Sequence, residues 1–154
     1  MKTFVILSDS HGRQAALKKI KPLFEENDYI VHLGDGSTDM RETVDAFPQK
    51  TYVVKGNCDG FYGVDECVIE AEGVKLFCCH GHKYGVKGGL ARLAARAKEL
   101  DCEIALYGHT HCAKIQTVED VLCINPGSIG SYSEPSYCYL VLHKGKATPT
   151  IVSV

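Results

Sequence analysis

The sequence lacks the patterns that mark several large classes of protein. No apolar run approaches the roughly 20 residues of a membrane-spanning helix. The apolar run over residues 4–7 is also shorter than the roughly 7–15 residues of a secretory signal. The eight cysteines include no C-x-x-C pair, which disfavours zinc fingers and thioredoxin-like redox proteins. We therefore expect reduced thiols, a cytoplasmic location and no membrane partner.

An excess of positive charge is missing as well. The 17 Lys and Arg residues are outnumbered by 19 Asp and Glu residues, and they form no basic stripe. Proteins that hold a nucleic-acid backbone usually carry a basic face, so nucleic acid is expected as a substrate at most. Repeats, low-complexity tracts and long linkers are also absent. A chain of 154 residues without them predicts one domain over residues 1–154.

Short apolar runs alternate with helical patterns in the first half of the chain. Strands are predicted over residues 4–7, 29–33 and 51–54. Apolar residues at helical spacing predict helices near 16–24 and 39–47, and Pro22 should kink or restart the first of them. Continuous apolar strands alternating with helices are typical of a parallel sheet that is covered on both faces.

The second half favours hairpins. Further strands are predicted over residues 67–71, 74–78, 104–107, 137–143 and 147–154. Glu72-Gly73 and Glu119-Asp120 are candidate tight turns, and the segment 90–100 has helical spacing. Pro149 indicates an edge position for the last strand. The pattern predicts an α/β fold with a parallel first half and antiparallel additions, in which two sheets pack together with helices outside.

Five of the predicted strands run directly into glycine-containing loops that carry Asp, His or Asn. These loops are Asp9-Ser10-His11-Gly12, Gly34-Asp35-Gly36, Gly56-Asn57-Cys58-Asp59, His80-Gly81-His82 and Gly108-His109-Thr110-His111. Ligands of open α/β sheets bind at the carboxyl ends of the strands, so parallel strands would bring these loops to one edge. The two His-x-His pairs are the stronger signals, because alternate residues of an extended segment face the same side.

Each motif alone also has a structural explanation. An Asp-x-His motif is more often a turn or a helix cap, and Gly34-Asp35 could be an Asx turn. We interpret His32 as a core histidine and His143 as a solvated one. The arrival of all five motifs at strand ends is hard to explain by packing, and it predicts a metal site.

In this order the five motifs resemble the calcineurin-like metallophosphoesterases, and within them the short bacterial and archaeal phosphodiesterase branch. Asn125-Pro126-Gly127-Ser128 resembles that branch too. The resemblance implies a four-layered α/β sandwich of two mixed sheets flanked by helices. It also implies a dinuclear metal centre at the carboxyl ends of the strands. One cation would be held by Asp9, His11 and His111, the other by Asn57, His80 and His109, and Asp35 would bridge them.

The same resemblance implies the chemistry. Imidazole donors favour Mn, Fe, Zn, Co or Ni over Mg or Ca, and Mn is the expected cation. A hydroxide bridging the two cations would attack the ester, so no side chain acts as nucleophile. Cys58 and Cys79 are poor candidates for that role, because neither precedes a phosphate-cradling loop. Asn57 and His82 are expected at the substrate, although a hydrogen bond behind a metal ligand is an equal alternative for His82.

One position departs from the larger members of the family. Many of these carry histidine, the expected proton donor to the leaving group, where this chain has Cys58. A thiol with an ordinary pKa near 8.5 is a weak donor for that step. The short phosphodiesterase branch commonly has this cysteine, so activity is still expected. Either poor leaving groups are turned over more slowly, or another group supplies the proton, for which His82 is a candidate.

The leading hypothesis is a phosphodiesterase that acts on small phosphate esters. A phosphomonoesterase is the nearest alternative. A non-catalytic interaction scaffold is another, because a retromer subunit has this fold but has lost several metal ligands. The present sequence keeps every ligand position, which favours the enzyme. The sequence leaves open whether copies of the chain associate as a homo-oligomer.

Overall fold

The apolar runs of the sequence become ten β-strands, and the helical patterns between them become four α-helices. The computed structural model describes all residues from 1 to 154. The strands are β1 (Lys2–Leu7), β2 (Tyr29–His32), β3 (Thr51–Val53), β4 (Glu66–Ala71), β5 (Val74–Cys79), β6 (Ile104–Leu106), β7 (Lys114–Val118), β8 (Val121–Asn125), β9 (Ser136–His143) and β10 (Lys146–Ser153). The helices are α1 (Ala15–Ile20), α2 (Pro22–Glu26), α3 (Arg41–Ala46) and α4 (Ala91–Glu99), with 3₁₀ turns over Ser37–Met40 and His82–Tyr84.

The strands form two mixed sheets of five strands each. Their orders are β10-β9-β1-β2-β3 and β4-β5-β6-β8-β7. Strands β1, β2 and β3 are parallel, as predicted. The second sheet is more than a set of antiparallel additions, because β5, β6 and β8 are also parallel to one another. Each sheet therefore has its own parallel centre, and the carboxyl ends of these strands carry the polar loops.

Both faces of the central strands are apolar, and each face packs against a different layer. Phe4 and Ile6 of β1 belong to a buried cluster that also contains Leu76 and Leu106 of the second sheet. The alternate residues of β1 pack with α1 and α2, and the other face of the second sheet packs with α4. Since successive side chains of a strand point to opposite faces, these contacts define three apolar interfaces between four layers. The predicted four-layered sandwich is confirmed.

Several local predictions are also confirmed. Pro22 is the first residue of α2, so the helical segment restarts there, where a missing backbone N–H costs nothing. Glu72 and Gly73 turn between β4 and β5 with positive φ at both residues, which matches the twist of the hairpin. Pro149 lies in β10, which pairs only with β9 at the sheet edge.

One helix differs from the expectation. The segment 39–47 begins as the 3₁₀ turn Ser37–Met40 and becomes α-helical only at Arg41. Within this turn, the carboxylate of Asp39 accepts hydrogen bonds from the backbone N–H of Gly12 and from the hydroxyl of Ser10. All eight cysteines are free, and five of them pack in the buried clusters as small apolar residues. None of the helices is long and apolar enough to cross a membrane.

Candidate metal centre

The loops after β1, β2, β3, β5 and β6 meet at the carboxyl ends of these strands. Five of the predicted ligands in them have left-handed backbone, with φ between 49° and 70°: Asp9, His11, Asp35, His109 and His111. Non-glycine residues rarely adopt this conformation, and such positions cluster at functional sites. The expectation of an extended segment at His109 and His111 is therefore wrong. Both residues lie in a loop, and their rings reach two different groups of donors.

The first group consists of Asp9, His11 and His111, which we call the first triad. The Oδ1 atom of Asp9 lies 3.1 Å from Nε2 of His111 and 3.5 Å from Nε2 of His11. The other carboxylate oxygen accepts hydrogen bonds from the Ser8 hydroxyl and from the backbone N–H of His109. Oδ1 is buried without any hydrogen-bond partner. A buried anionic oxygen with no partner is costly unless a cation pairs with it.

The second triad consists of Asp35, His80 and His109. The Nε2 atom of His80 lies 3.2 Å from Oδ2 of Asp35 and 3.2 Å from Nδ1 of His109. On its other side, Nδ1 of His80 lies 2.7 Å from the carbonyl oxygen of Leu33, so it donates its hydrogen there. With Nδ1 held by this carbonyl, Nε2 is the nitrogen that faces Asp35 and His109, and it would bind a cation once its own hydrogen is displaced, as in histidines that bind metals.

Asp35 faces both triads with a single oxygen. Its Oδ2 atom lies 3.2 Å from Nε2 of His80 and 3.9 Å from Nε2 of His11. Its Oδ1 atom accepts a hydrogen bond from the backbone N–H of Cys58. Burial would raise the pKa of Asp35, but the hydrogen bonds from His80 and Cys58 outweigh it and hold the pKa well below the usual range. The group is therefore an anion placed between the two sets of histidines.

The donors fit divalent cations in spacing and in type. Nε2 of His11 and Nε2 of His111 are 3.2 Å apart, and the pair from His80 and His109 has the same separation. Two nitrogens bound to one cation at about 2.0–2.1 Å lie about 3 Å from each other. Imidazole nitrogens with carboxylate oxygens suit first-row transition metals better than Ca²⁺. Each triad could therefore hold one metal ion.

Known proteins provide an independent comparison. The family model of the calcineurin-like phosphoesterase superfamily domain matches residues 1–146. The chain belongs to this superfamily. The resemblance noted from the five strand-end motifs is thereby confirmed, and the family is metal-dependent.

Two curated relatives of this superfamily carry descriptive names. The chain is 37% identical over 150 residues to the probable metallophosphoesterase YsnB of Bacillus subtilis, and the match covers 94% of this chain and 86% of that protein. It is 25% identical over 156 residues to phosphodiesterase YfcE of Escherichia coli K12, covering 84% of this chain and 80% of that protein.

Solved structures have the same fold. An uncharacterized protein of Streptococcus pneumoniae, described as a predicted phosphoesterase, superposes with a TM-score of 0.82 and 26% identity, covering 99% of this chain and 89% of that one. Vps29 of Entamoeba histolytica in complex with Zn²⁺ has a TM-score of 0.76 at 23% identity, covering 98% of each chain. At this identity the second similarity concerns the fold alone.

Two predicted site residues are not part of either triad. Asn57 and His82 lie beside the triads. Asn57 is exposed, and its amide donates to Sγ of Cys58, the residue whose backbone holds Asp35. The ring of His82 lies 5.4 Å from that of His80 and 6.1 Å from that of His109. The Nδ1 atom of His82 is buried without a partner. The roles of both residues stay predictions.

Cys58 and Cys79, the two cysteines considered as nucleophiles, are poor candidates in the structure as well. The thiol of Cys58 lies close to ligand atoms of His11 and Asp35. Burial raises its pKa, and the negative charge of Asp35 raises it further. Burial also raises the pKa of Cys79 well above the usual range. Both groups are held as thiols rather than thiolates, which disfavours covalent catalysis by either.

Asp59 supports the loop of Asp35, a role that the sequence did not identify. Its carboxylate accepts backbone N–H bonds from Asp35, Gly36, Ser37 and Gly56, at distances of 2.7–3.1 Å. Burial would raise the pKa of Asp59, but these hydrogen bonds outweigh it and lower the pKa. Asp59 thus ties the loop of Asp35 to the loop after β3. Its place two residues after Asn57 was visible in the sequence, but nothing there distinguishes an anion that binds backbone N–H groups from one that binds a metal.

Gly56 allows this close approach of the two loops. A Cβ atom at position 56 would lie 2.2 Å from Oδ1 of Asp35 and 2.7 Å from its backbone nitrogen. No side chain fits there unless Asp35 moves. The glycine before Asn57 is therefore part of how the fold positions the carboxylate.

His32 holds the loop of the first triad from behind. Its Nδ1 atom accepts the backbone N–H of Gly34, so Nε2 donates to the Ser10 hydroxyl. Ser10 in turn donates to Asp39. Burial lowers the pKa of His32 from 6.5 to about 4, which keeps the ring neutral. The interpretation of His32 as a satisfied core histidine is confirmed, and so is the solvated position of His143.

Acidification should destabilise the metal-free protein through His32. Its pKa is lower in the folded state, about 4, than the 6.5 of an unfolded chain, so its stabilising contribution is complete above pH 6.5 and is lost as the pH falls towards 4. Between pH 7 and pH 5, we expect wild type to lose about 2 kcal/mol more free energy of unfolding than His32→Gln. Urea unfolding at both pH values measures this difference, and equal losses in the two proteins would contradict it.

Proposed function

We propose that this protein is a metal-dependent phosphodiesterase that hydrolyses small phosphate diesters. The observation that carries the proposal is the position of Asp35, whose Oδ2 atom faces histidines of both triads. One carboxylate oxygen between two sets of nitrogen donors is the arrangement that a pair of divalent cations requires. The name of the relative YfcE supports a diester rather than a monoester as substrate.

Seven side chains would hold the two cations. They are Asp9, His11 and His111 for one cation, Asn57, His80 and His109 for the other, and Asp35 for both. Two carboxylates against two divalent ions leave a net charge of about +2, which attracts a phosphate ester. When bound, the cations would activate a water molecule as the nucleophile and stabilise charge on the ester oxygens. We propose Mn²⁺ as the bound metal, and the imidazole-rich donor set also accepts Fe, Zn, Co or Ni.

The protein's own groups would orient this site and the substrate. The Leu33 carbonyl fixes the tautomer of His80, and the Ser8 hydroxyl with the His109 N–H fixes one oxygen of Asp9. The ring of His82 lies at the edge of the second triad, where it would contact a phosphate oxygen. The free cysteines support a cytoplasmic place of action.

The test is a metal-dependent activity assay. Protein reconstituted with Mn²⁺ should hydrolyse bis(p-nitrophenyl) phosphate, lose this activity with excess chelator and regain it when Mn²⁺ is restored. Metal analysis should give two equivalents per chain. Comparison with p-nitrophenyl phosphate separates a diesterase from a monoesterase, because the latter would turn over the monoester faster. Metal-loaded protein without activity on any diester, or with fewer than two equivalents, would favour the scaffold instead.

A further inference from the structure

A cavity beside the metal centre has a lining that the proposed reaction does not use. It has a volume of about 510 Å³ and lies between the glycine-rich segment after His82 and strand β7. Its polar lining comes from Lys87, Thr110, Lys114 and Gln116. Thr110 stands between His109 and His111 in the chain, so the cavity borders the loop that supplies both triads. None of the triad residues lines it, so it is a separate compartment next to the metal centre.

The charge of this cavity is positive and uncompensated. Lys87 and Lys114 line it, and no Asp or Glu side chain does. Neither lysine takes part in an ion pair, whereas the nearby Lys83 and Lys55 both pair with Asp65. Both lysines are exposed, so together they make this concave surface attractive to anions and unfavourable to cations. The cavity is therefore suited to an anionic group.

Thr110 adds a neutral donor to the two charges. Its hydroxyl oxygen accepts hydrogen bonds from the side-chain amide of Asn125 and from the backbone N–H of Cys112. With both acceptor positions used, the hydroxyl hydrogen remains for a third partner. Asn125 is buried and also binds the carbonyl oxygen of Gly108, so it fixes the orientation of the whole loop.

We propose that this cavity binds a second phosphate group of the substrate, so that the preferred substrates are phosphodiesters that carry an additional phosphate. The inference rests on the proposed function, because the scissile phosphate must lie on the metal centre next door. A terminal phosphate has a charge of about −1.5 to −2 at pH 7 and three acceptor oxygens. Two lysines and one hydroxyl match both the charge and the number of oxygens.

A matched pair of chromogenic diesters tests this directly. Thymidine 5′-(p-nitrophenyl phosphate) and its 3′-phosphorylated form release the same leaving group and differ only in the second phosphate. The Mn²⁺-loaded protein should hydrolyse the 3′-phosphorylated diester with a kcat/KM about tenfold higher, mainly through a lower KM. The preference should decrease as salt is added, because exposed charges are screened.

The variant Lys87→Gln/Lys114→Gln should lose this preference and keep its activity on bis(p-nitrophenyl) phosphate. The matched control is Lys144→Gln/Lys146→Gln, which removes two exposed lysines from the hairpin between β9 and β10 and should behave as wild type. Calorimetry adds a measurement that needs no turnover. Thymidine 3′,5′-bisphosphate should bind wild type about tenfold more tightly than the Lys87→Gln/Lys114→Gln protein.

The outcomes separate the two proposals. Turnover of all diesters without any preference for the second phosphate would reject the cavity assignment and leave the phosphodiesterase intact. Absence of all turnover would reject the phosphodiesterase. In that case equal affinities of wild type and variant for the bisphosphate would reject the phosphate site too, and a tenfold difference would retain it.

Discussion

Replacing Asp35 by asparagine should lower kcat/KM for bis(p-nitrophenyl) phosphate by about a thousandfold. The side chain keeps its shape and its Oδ1 atom can still accept the N–H of Cys58, but the negative charge between the two triads is lost. A bridging carboxylate accounts for several kcal/mol of cation binding and charge stabilisation, and about 4 kcal/mol corresponds to a thousandfold. We also expect fewer than two metal equivalents per chain, measured after dialysis.

Asp45→Asn provides the control, since it removes an exposed carboxylate from α3 and should change neither quantity. If Asp35→Asn bound two metal ions and retained more than about a tenth of the activity, Asp35 would not be a bridging ligand. Unfolding curves of the metal-free proteins distinguish loss of the site from loss of the fold.

Replacing Asp59 by alanine should impair both stability and metal binding. The change leaves four backbone N–H groups, on Asp35, Gly36, Ser37 and Gly56, without their charged acceptor. Part of this loss is offset by water, because Asp59 is half-buried, so we expect the free energy of unfolding to decrease by about 2–4 kcal/mol. Metal affinity should decrease about 10–100-fold, as is typical when the support of a ligand is removed.

Urea unfolding of the metal-free protein measures the first effect, and titration with Mn²⁺ measures the second. Asp59→Asn is the informative companion, because its amide keeps one acceptor oxygen and presents N–H groups to the remaining donors. It should lie between wild type and Asp59→Ala, while Asp45→Ala should match wild type. Unchanged metal affinity in Asp59→Ala would show that the Asp35 loop is held without this carboxylate.

Most of the elements of the fold follow from local patterns. Strand β1 is recognisable because both of its faces are apolar, and Pro22 marks the restart of the helix because proline suits the first helical turn. The parallel centre of the second sheet was missed. Strands β5 and β6 enclose helix α4, which is the same pattern that predicts parallel strands in the first half, and the hairpins before and after them drew the prediction away from it. The place of β8 beside β6 depends on long-range packing, because its neighbour in the chain is the antiparallel β7.

Residue types and their order along the chain are sufficient to predict the chemistry of the centre. Imidazole and carboxylate donors that follow buried strands limit the metals and lead to the calcineurin-like phosphoesterases before any distance is known. Packing of the folded chain determines how these donors are used. Left-handed backbone at His109 and His111 sends the two rings to different triads, and Asp59 binds four N–H groups instead of a cation. Lys87 and Lys114 line one cavity although they are distant in sequence. Only the path of the folded chain makes such residues neighbours.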